Sequence, residues 1–273
     1  MALITITSSY GAGGQRIAEK VSRQLGVELF DDHKIQERTL AMGISADDVS
    51  GLDEKAPGLF DRLFTNKPAI YLELLGAVVY DIASSGQGVI IGHAAQVFLK
   101  DFNCAFHVRV HASETNRGRW LAREQDMNEA ASVNLVRKMD RRFKEFIQYG
   151  FNRDWNDLSE YDLVLNLDKI GDEWAVRLIR DLSESDEVKE CSLGSLEAME
   201  FSSLQRKVEA AVIKNNLTSP FGSFQVEVTG KGKVHLSGIV YNNDERKRLL
   251  EVVKDVKGVT GVISDVSIMP PSY

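Results

Sequence analysis

The chain opens with a strand, a glycine-rich turn and a helix, and this order restricts the fold more than any other part of the sequence. Leu3–Thr7 is a short apolar run rich in β-branched residues, and it leads into the turn Ser8–Gly14. Apolar residues then recur at helical spacing from Ile17 to Leu25. Backbone N–H groups in such a turn can converge on phosphate oxygens at the helix N-terminus. A glycine-rich turn that binds nothing is the alternative.

Strand and helix patterns alternate along the first two thirds of the chain. Besides the first strand, short apolar strands are predicted to start near Val27, Val89, Ala105 and Leu163. Alternating strands and helices are typical of a parallel sheet covered on both faces. We therefore predict a three-layer α/β domain with a five-stranded parallel sheet over residues 1–182. Ligands of such sheets gather at the carboxyl ends of the strands.

Polar residues follow the second and third predicted strands at that carboxyl edge. Asp31 and Asp32 come after the second strand, where a carboxylate could orient an acceptor or bind water on magnesium. Capping of the next helix is the alternative for either residue. His93 follows the third strand. It is expected either to contact an acceptor phosphate when protonated or to be a polar residue at a strand end.

A helical, arginine-rich stretch follows the fourth strand, from Ser113 to about Gly150. Arginines on a lid could close over phosphates, because phosphoryl transfer depends mainly on positioning and charge neutralisation. A solvated, salt-bridged pair of helices is the alternative, and an acidic residue would hold an arginine in place in both cases. The candidate catalytic residues of this stretch are Arg117, Arg123, Asp140 and Arg141.

These segments resemble, in order, the motifs of the cytidylate kinase-like family. The opening through Ile17 is similar to that family's I-S-R-x-[YF]-G-S-G-G-R-x-I, and Val89–Gly92 is similar to its V-I-I-G-R. Val108–Val110 with Arg117 resembles V-R-V…R, and Tyr161–Asn166 resembles Y-D-L-V-L-N. The resemblance spans about residues 3–182. It implies a P-loop nucleoside-monophosphate-kinase fold, ATP and Mg²⁺ as cofactors, and transfer of a phosphoryl group to CMP or dCMP.

The chain departs from the expected motifs at positions that matter for catalysis. A Walker A motif supplies a lysine and a hydroxyl, and Gly14 and Gln15 stand at those places. The family's Ser-Arg before the glycine loop is Ser8-Ser9, and its Arg after the third strand is His93. Magnesium would then depend on Asp31 or Asp32 with water, and no dedicated metal site is predicted. The candidate ATP phosphate-binding residues are Gly11, Ala12, Gly13, Gly14, Gln15 and Arg16.

Two other functions remain open beside the kinase. The chain could be a nucleotide-binding regulatory protein with little transferase activity. The absence of the Walker A lysine favours this function. The chain could also be an interaction scaffold, although a scaffold does not need glycines and arginines at one sheet edge.

The end of the chain forms a separate pattern. Residues 183–202 are polar and are predicted to be a linker that few contacts cross. Residues 203–273 predict a small α+β unit of order α-β-β-α-β, which resembles a BON domain. That resemblance implies contact with phospholipid or another ligand. Arg246–Arg248 could touch an anionic surface, with a solvated helix face as the alternative.

Charge and apolar content restrict partners and location. The formal net charge is −7, so nucleic acid is not an expected partner. No apolar run approaches the ~20 residues that span a bilayer, and no signal peptide is evident. Cys104 is predicted to be a buried thiol, whereas Cys191 lies in a polar stretch. These features predict a cytoplasmic protein.

Overall fold

The computed structural model describes residues 3–44, 68–217, 219 and 224–270. Its larger sheet has five parallel strands in the order β2-β3-β1-β4-β5, so the first strand is central. This confirms the predicted α/β class and the predicted parallel sheet. The strands are β1 Leu3–Ser8, β2 Leu29–Phe30, β3 Gly88–Ile91, β4 Ala105–His111 and β5 Leu163–Asn166.

Helices cover both faces of this sheet. One core packs the apolar residues of β1 and β4 against the first and the seventh helix, with Ile17 and Ile179 fully buried. The opposite core contains Leu75 and Phe146 and includes the third and sixth helices. The helices are α1 Gly14–Leu25, α2 Asp32–Ala41, α3 Pro68–Ala83, α4 Ala95–Phe98, α5 Glu114–Gln125, α6 Glu129–Phe151 and α7 Asp172–Ser183.

A second, three-stranded sheet lies in the C-terminal part. Helix α8 (Leu193–Lys214) is followed by β6 (Gln225–Gly230), β7 (Lys233–Val240), α9 (Asn243–Lys254) and β8 (Gly261–Ile268). Strands β6 and β7 are antiparallel, and β7 and β8 are parallel. The predicted α-β-β-α-β order is therefore correct. Alternate strand residues pack against α8 and α9 in a third apolar core.

Helix α8 begins inside the stretch that we predicted to be a linker. Ser192 caps it by accepting a hydrogen bond from the Ser195 N–H, and Met199 is fully buried in the core of the larger domain. The Ser203 hydroxyl donates to the Ala77 carbonyl on α3 at 2.8 Å. The expectation that few contacts cross residues 183–202 is therefore wrong. The apolar side chains of α8 are spaced to meet α3 on one side and the small sheet on the other.

The two cysteines form a disulfide, so the prediction of a buried thiol at Cys104 is wrong. Cys104 precedes β4 and Cys191 precedes α8, and their Cα atoms are 4.9 Å apart. A separation of 87 residues gave no sign of this pairing in the sequence. They meet at the amino end of the sheet, where β4 starts after Cys104 and Cys191 lies beside Gly86 at the end of α3. Within the residues described, no helix has the length and apolarity to cross a membrane.

Candidate active site

The turn Ser8–Gly14, here called the glycine loop, joins the carboxyl end of β1 to α1. Gly11 and Gly13 have φ values of 78° and 83°, a backbone conformation that favours glycine. Gly13 is the N-cap of α1, and no side chain in the described part of the chain caps that end. The Ala12 N–H donates to the Ser9 carbonyl at 3.0 Å, and the Ala12 side chain is buried in the core. Such a loop presents the helix N-terminus to an anion.

Gly14 is closed to any side chain. A Cβ atom built there would overlap the Cβ and Oγ atoms of Ser8. Gly13 is restricted a second time, because a Cβ there would lie 2.5 Å from the Arg16 Nη2 atom. The position that holds lysine in a Walker A motif therefore could not accept one without a shift of β1. The Ser8 side chain therefore excludes a lysine at this position.

Arg117 and Asp140 fasten the loop to the arginine-rich helices. Arg117 is 4% exposed and forms a bidentate pair with Asp140, at 3.0 and 2.7 Å. The same guanidinium donates to the carbonyls of Tyr10 and Ala112. The Tyr10 N–H in turn donates to Asp140 at 3.3 Å. Arg117 and Asp140 therefore lie beside the glycine loop, as predicted from the sequence. Their hydrogen bonds are made with each other and with backbone groups, and these bonds hold the loop in shape.

A cavity of about 440 Å³, here called the loop cavity, opens beside the glycine loop. Its polar wall includes Thr7 and Gln96, joined by a 3.0 Å hydrogen bond. Phe143 and Trp155 form part of the opposite wall and stack with their ring centroids 5.8 Å apart. The predicted site residues that line the cavity are Gly11, Gly13, Gly14, Gln15, Arg16 and Asp32.

The two aspartates after β2 have different surroundings. The Asp31 side chain caps α2 by accepting from the Lys34 N–H at 3.0 Å. Asp32 lines the loop cavity and pairs with the His93 Nε2 atom at 2.9 Å. His93 itself is fully buried at a positive φ of 58° and does not line the cavity. The structure therefore puts one aspartate of the pair at the cavity, with His93 behind it.

Gln15 and Arg16 lie at the cavity mouth on the first turn of α1. The Gln15 amide donates to Glu19 at 3.0 Å and contacts Asp31 at 3.5 Å. Arg16 is half-exposed and pairs with Asp172 at 3.2 Å. Arg16 can turn toward an anion at the loop, because its own side chain is half-exposed and its partner Asp172 is partly exposed.

The other predicted arginines lie further from the loop. Arg123 is exposed near the end of α5, lines neither cavity, and has no ion pair within the described residues. Arg141 is exposed and lines a second cavity of about 700 Å³, here called the basic cleft. Ser9 and Trp155 line both the basic cleft and the loop cavity, so the two spaces adjoin.

Two residues of these cavities were not among the sequence candidates. Gln96 lies on α4 in a stretch with no motif, and nothing in the sequence singled it out. Arg109 lies on β4 and is 5% exposed, with its Cζ atom 3.6 Å from the centroid of the Trp155 ring. Its place in the V-R-V motif, as a charged residue between the apolar Val108 and Val110, was a signal that could have found it.

The residues present fit a magnesium ion held mainly by ligand oxygens. In the described ranges, no group of three or more His, Cys, Asp and Glu residues could hold a metal ion. Magnesium commonly takes one or two carboxylates and completes its shell with water and substrate phosphates. Asp32 is partly exposed at the loop cavity and fits that role, whereas Asp31 is engaged as a helix cap.

The chain is similar to several solved structures at low identity. An uncharacterized protein from Eubacterium ventriosum ATCC 27560 is 18% identical, with a TM-score of 0.50, over 68% of this chain and 99% of that one. Shikimate kinase from Acinetobacter baumannii in complex with shikimate is 14% identical, with a TM-score of 0.41, over 69% and 96%. At this identity the first likeness concerns the fold alone. No curated protein matches the chain.

Family models match both parts of the chain. Residues 202–270 match the BON domain, in agreement with the resemblance found in the C-terminal unit. Residues 3–169 match the model of the cytidylate kinase-like family. That match takes in the glycine loop, both cavities and all five strands of the larger sheet. Since it covers more than half of the sequence, the chain belongs to the cytidylate kinase-like family.

Proposed function

We propose that this protein transfers a phosphoryl group from ATP to a nucleoside monophosphate, with CMP or dCMP as the first candidates. One observation carries the proposal: the uncapped N-terminus of α1 and the glycine loop open on a cavity that also contains Asp32 and aromatic side chains. A phosphate site and an acceptor-sized space thus adjoin at the carboxyl edge of the sheet. The kinase-like family and fold support phosphoryl transfer as the reaction class.

The donor phosphates are proposed to bind the backbone of the glycine loop. The positive φ values of Gly11 and Gly13 shape the loop, and the helix N-terminus adds favourable potential. Arg16 is near enough to add a charged contact if it exchanges its partner Asp172. Magnesium, when bound through Asp32, would neutralise phosphate charge. Arg117 and Asp140 contribute by fixing the loop rather than by touching the phosphates.

The acceptor is proposed to occupy the loop cavity. A volume of about 440 Å³ falls within the ~300–1,000 Å³ of small-molecule sites. The aromatic wall of Phe143 and Trp155 offers a face for a nucleobase, and Gln96 offers an amide held in place by Thr7. Asp32 faces the same space and could orient the attacking hydroxyl or oxygen. His93 fixes the orientation of Asp32 by the 2.9 Å contact.

Transition-state charge is proposed to fall on arginines that have no ion pair within the described residues. Arg141 and Arg123 are exposed on the two long helices that frame the loop, and closure of these helices would bring guanidinium groups toward the phosphates. Loss of a main transition-state arginine costs about 10³-fold or more in related chemistry.

A second candidate is a nucleotide-binding regulatory protein with little transferase activity. The closed Gly14 position favours it, because the usual lysine is sterically excluded. Helix α8 would then link nucleotide binding to the BON domain, whose ligand we propose to be a phospholipid headgroup or another small anion near Arg246–Arg248. A cytoplasmic location is part of either proposal. Disulfides of cytosolic proteins are usually transient, so in that location we expect the Cys104–Cys191 bond to be reduced for part of the time, and thiol trapping in cell extracts would test this.

Two measurements on the same preparation separate these functions. Nucleoside monophosphates are screened with ATP and Mg²⁺ for release of ADP, and ATP binding is measured by titration calorimetry. Turnover with CMP or dCMP is the expected result. ATP binding with no turnover on any monophosphate would favour the regulatory protein. Absence of ATP binding would refute both functions.

A further inference from the structure

Arg109 is a buried cation without a carboxylate partner. Along β4, Val108 and Val110 point into the core shared with α1, so Arg109 points to the opposite face of the sheet. Its guanidinium stacks on Trp155, and its Nη2 atom donates to the Ser9 hydroxyl at 3.2 Å. The Nη1 atom is buried with no hydrogen-bond acceptor, and no carboxylate lies within ion-pair distance among the described residues. The carboxylate of Asp140, on the same cleft, is committed to Arg117.

An arrangement of this kind is costly for the protein alone. Arginine remains protonated in proteins, so the charge cannot be removed by titration. A buried charge without a counter-ion destabilises the fold, and a bound anion would offset that cost. Burial also lowers the pKa of Arg109, which shows how poorly its surroundings solvate the charge.

The basic cleft around Arg109 carries excess positive charge. Its lining contains five basic side chains and two carboxylates, and both carboxylates are already paired, Glu114 with Arg137 and Asp140 with Arg117. Arg141 and Lys144 stand at the exposed rim. His111 on the same cleft responds to this charge: burial lowers its pKa, and Arg109 and Arg117 lower it further.

We propose that the basic cleft is a phosphate-binding site, with Arg109 as its buried anchor and Arg141 at its rim. The ligand class is a phosphate dianion, either free or as a phosphate monoester. The planar guanidinium of Arg109 has donors that suit an oxyanion. The Arg141 side chain adds a second positive charge and can move toward a bound ligand. The site adjoins the glycine loop, because Ser9 of that loop lines both cavities and accepts a hydrogen bond from Arg109. It does not depend on the proposed transfer reaction.

The test uses the full chain, inorganic phosphate as the probe, and Arg109→Met as the main variant. Methionine keeps an unbranched apolar stem against Trp155 but removes the charge. The expected result is a phosphate affinity about 10- to 100-fold weaker than that of the wild type, with ATP binding retained. Without phosphate, the variant should melt at the same temperature as the wild type or higher.

A matched control comes from a second arginine–tryptophan stack. Arg177 lies over Trp174 on the exposed side of α7, with its Cζ atom 4.7 Å from the ring centroid, and it lines neither cavity. Arg177→Met should bind phosphate like the wild type. Arg141→Gln, at an exposed position, should weaken phosphate binding severalfold without loss of fold. Competition by CMP but not cytidine would identify the phosphate as part of a nucleotide. Phosphate bound independently of CMP would identify a free anion.

The proposal fails if wild-type protein does not bind phosphate at millimolar concentrations. It also fails if Arg109→Met, or Arg141→Gln where Arg109→Met does not fold, binds phosphate as tightly as the wild type. Because ATP binding is measured in parallel, loss of this site is distinguishable from failure of the glycine loop.

Discussion

At the scale of single residues, the site contains two buried arginines, Arg117 and Arg109, whose charges are neutralised to different extents by the protein. Arg117 uses its guanidinium to hold Asp140 and two backbone carbonyls, so its charge is already neutralised. Arg109, by contrast, is buried and has no ion pair with an acid among the residues that the structure describes. Two arginines that look alike in sequence thus have opposite electrostatic situations. One stabilises the loop as it stands, and the other is suited to an added anion.

Replacing Asp140 should destabilise the fold more than replacing an exposed acid between the same two helices. Asp140→Ala leaves Arg117 buried and unpaired, which typically costs about 3–5 kcal/mol. The Glu114–Arg137 pair also joins α5 to α6 but is half-exposed, so Glu114→Ala should cost less than about 1 kcal/mol. Urea unfolding of the two variants measures the difference. Equal losses would mean that the Arg117–Asp140 pair has no special role.

Gly14→Ala should weaken nucleotide binding by displacing the loop. The new Cβ would overlap Ser8, and overpacking of this kind costs about 1–3 kcal/mol. Since the overlapping atoms are the Ser8 side chain, Ser8→Gly in the same chain should restore much of the loss. A double-mutant cycle on unfolding free energy and on ATP affinity measures this coupling. Additive effects would show that the close approach of Gly14 to Ser8 is not the constraint.

At the scale of elements, the first turns of helix α8 are the feature that the sequence analysis missed, because the helix was predicted to begin only near residue 203. The strand order and the loop position could be predicted, because apolar runs and glycines mark them directly. Glycine, serine and two glutamates in Leu193–Glu200 suggested a linker, and Met199 of this stretch packs in a core whose other helices are distant in sequence. The roles of Asp31 and Asp32 stayed open for a similar reason. Only the fold shows which of two adjacent carboxylates meets a helix N-terminus.

The contact between α3 and α8 contains a partly buried acid that makes stability depend on pH. Arg206 pairs with Glu73 at 2.7 Å, but burial outweighs this attraction, Glu209 adds repulsion, and the pKa of Glu73 rises to about 7. The folded chain therefore keeps a proton that the unfolded chain, with a pKa of 4.5, loses. Stability from this group is complete below pH 4.5 and is lost as the pH rises through about 7.

Glu73→Gln should flatten that dependence. Glutamine cannot ionise, so the fall in unfolding free energy between pH 4.5 and 7, at most about 3 kcal/mol, should disappear. Glu209→Gln removes only the repulsive neighbour and should reduce the fall in part. Denaturant melts at several pH values measure all three chains. An unchanged slope in Glu73→Gln would show that Glu73 is ionised throughout.

At the scale of the whole molecule, the two family units are joined more closely than a linker would join them. Helix α8 belongs to the core of the small sheet and also packs on α3, where Gly76 lies against the Arg206 side chain. The boundaries predicted at residues 182 and 203 therefore separate two stretches that resemble different families, but the packing of side chains around α8 continues across both boundaries. A fragment that starts near Glu200 would expose the face of α8 that carries Ser203 and Ala210.

Removing the disulfide should lower the stability of the chain as a whole. A closed loop of 87 residues restricts the unfolded state by about 4–5 kcal/mol in the chain-entropy model. Cys104→Ser with Cys191→Ser should therefore unfold at lower denaturant concentration than the oxidised wild type. Reduced wild type should match the double variant. If oxidised and reduced chains unfold together, the bond does not restrict the unfolded ensemble.

The Cys104–Cys191 disulfide divides the chain into parts that respond differently when a force pulls on the two ends of the molecule. Strand β4, helices α5 to α7 and β5 all lie inside the covalent ring, whereas β1 and the glycine loop lie outside it. A fully stretched oxidised molecule would be shorter than a reduced one by roughly 300 Å, at ~3.3–3.6 Å per residue. A tether or an unfolding motor could therefore pull out β1 and disrupt the proposed nucleotide site while the arginine-bearing helices remain inside a ring that cannot be extended. Optical-tweezer traces with and without reductant would show this as a missing step in extension.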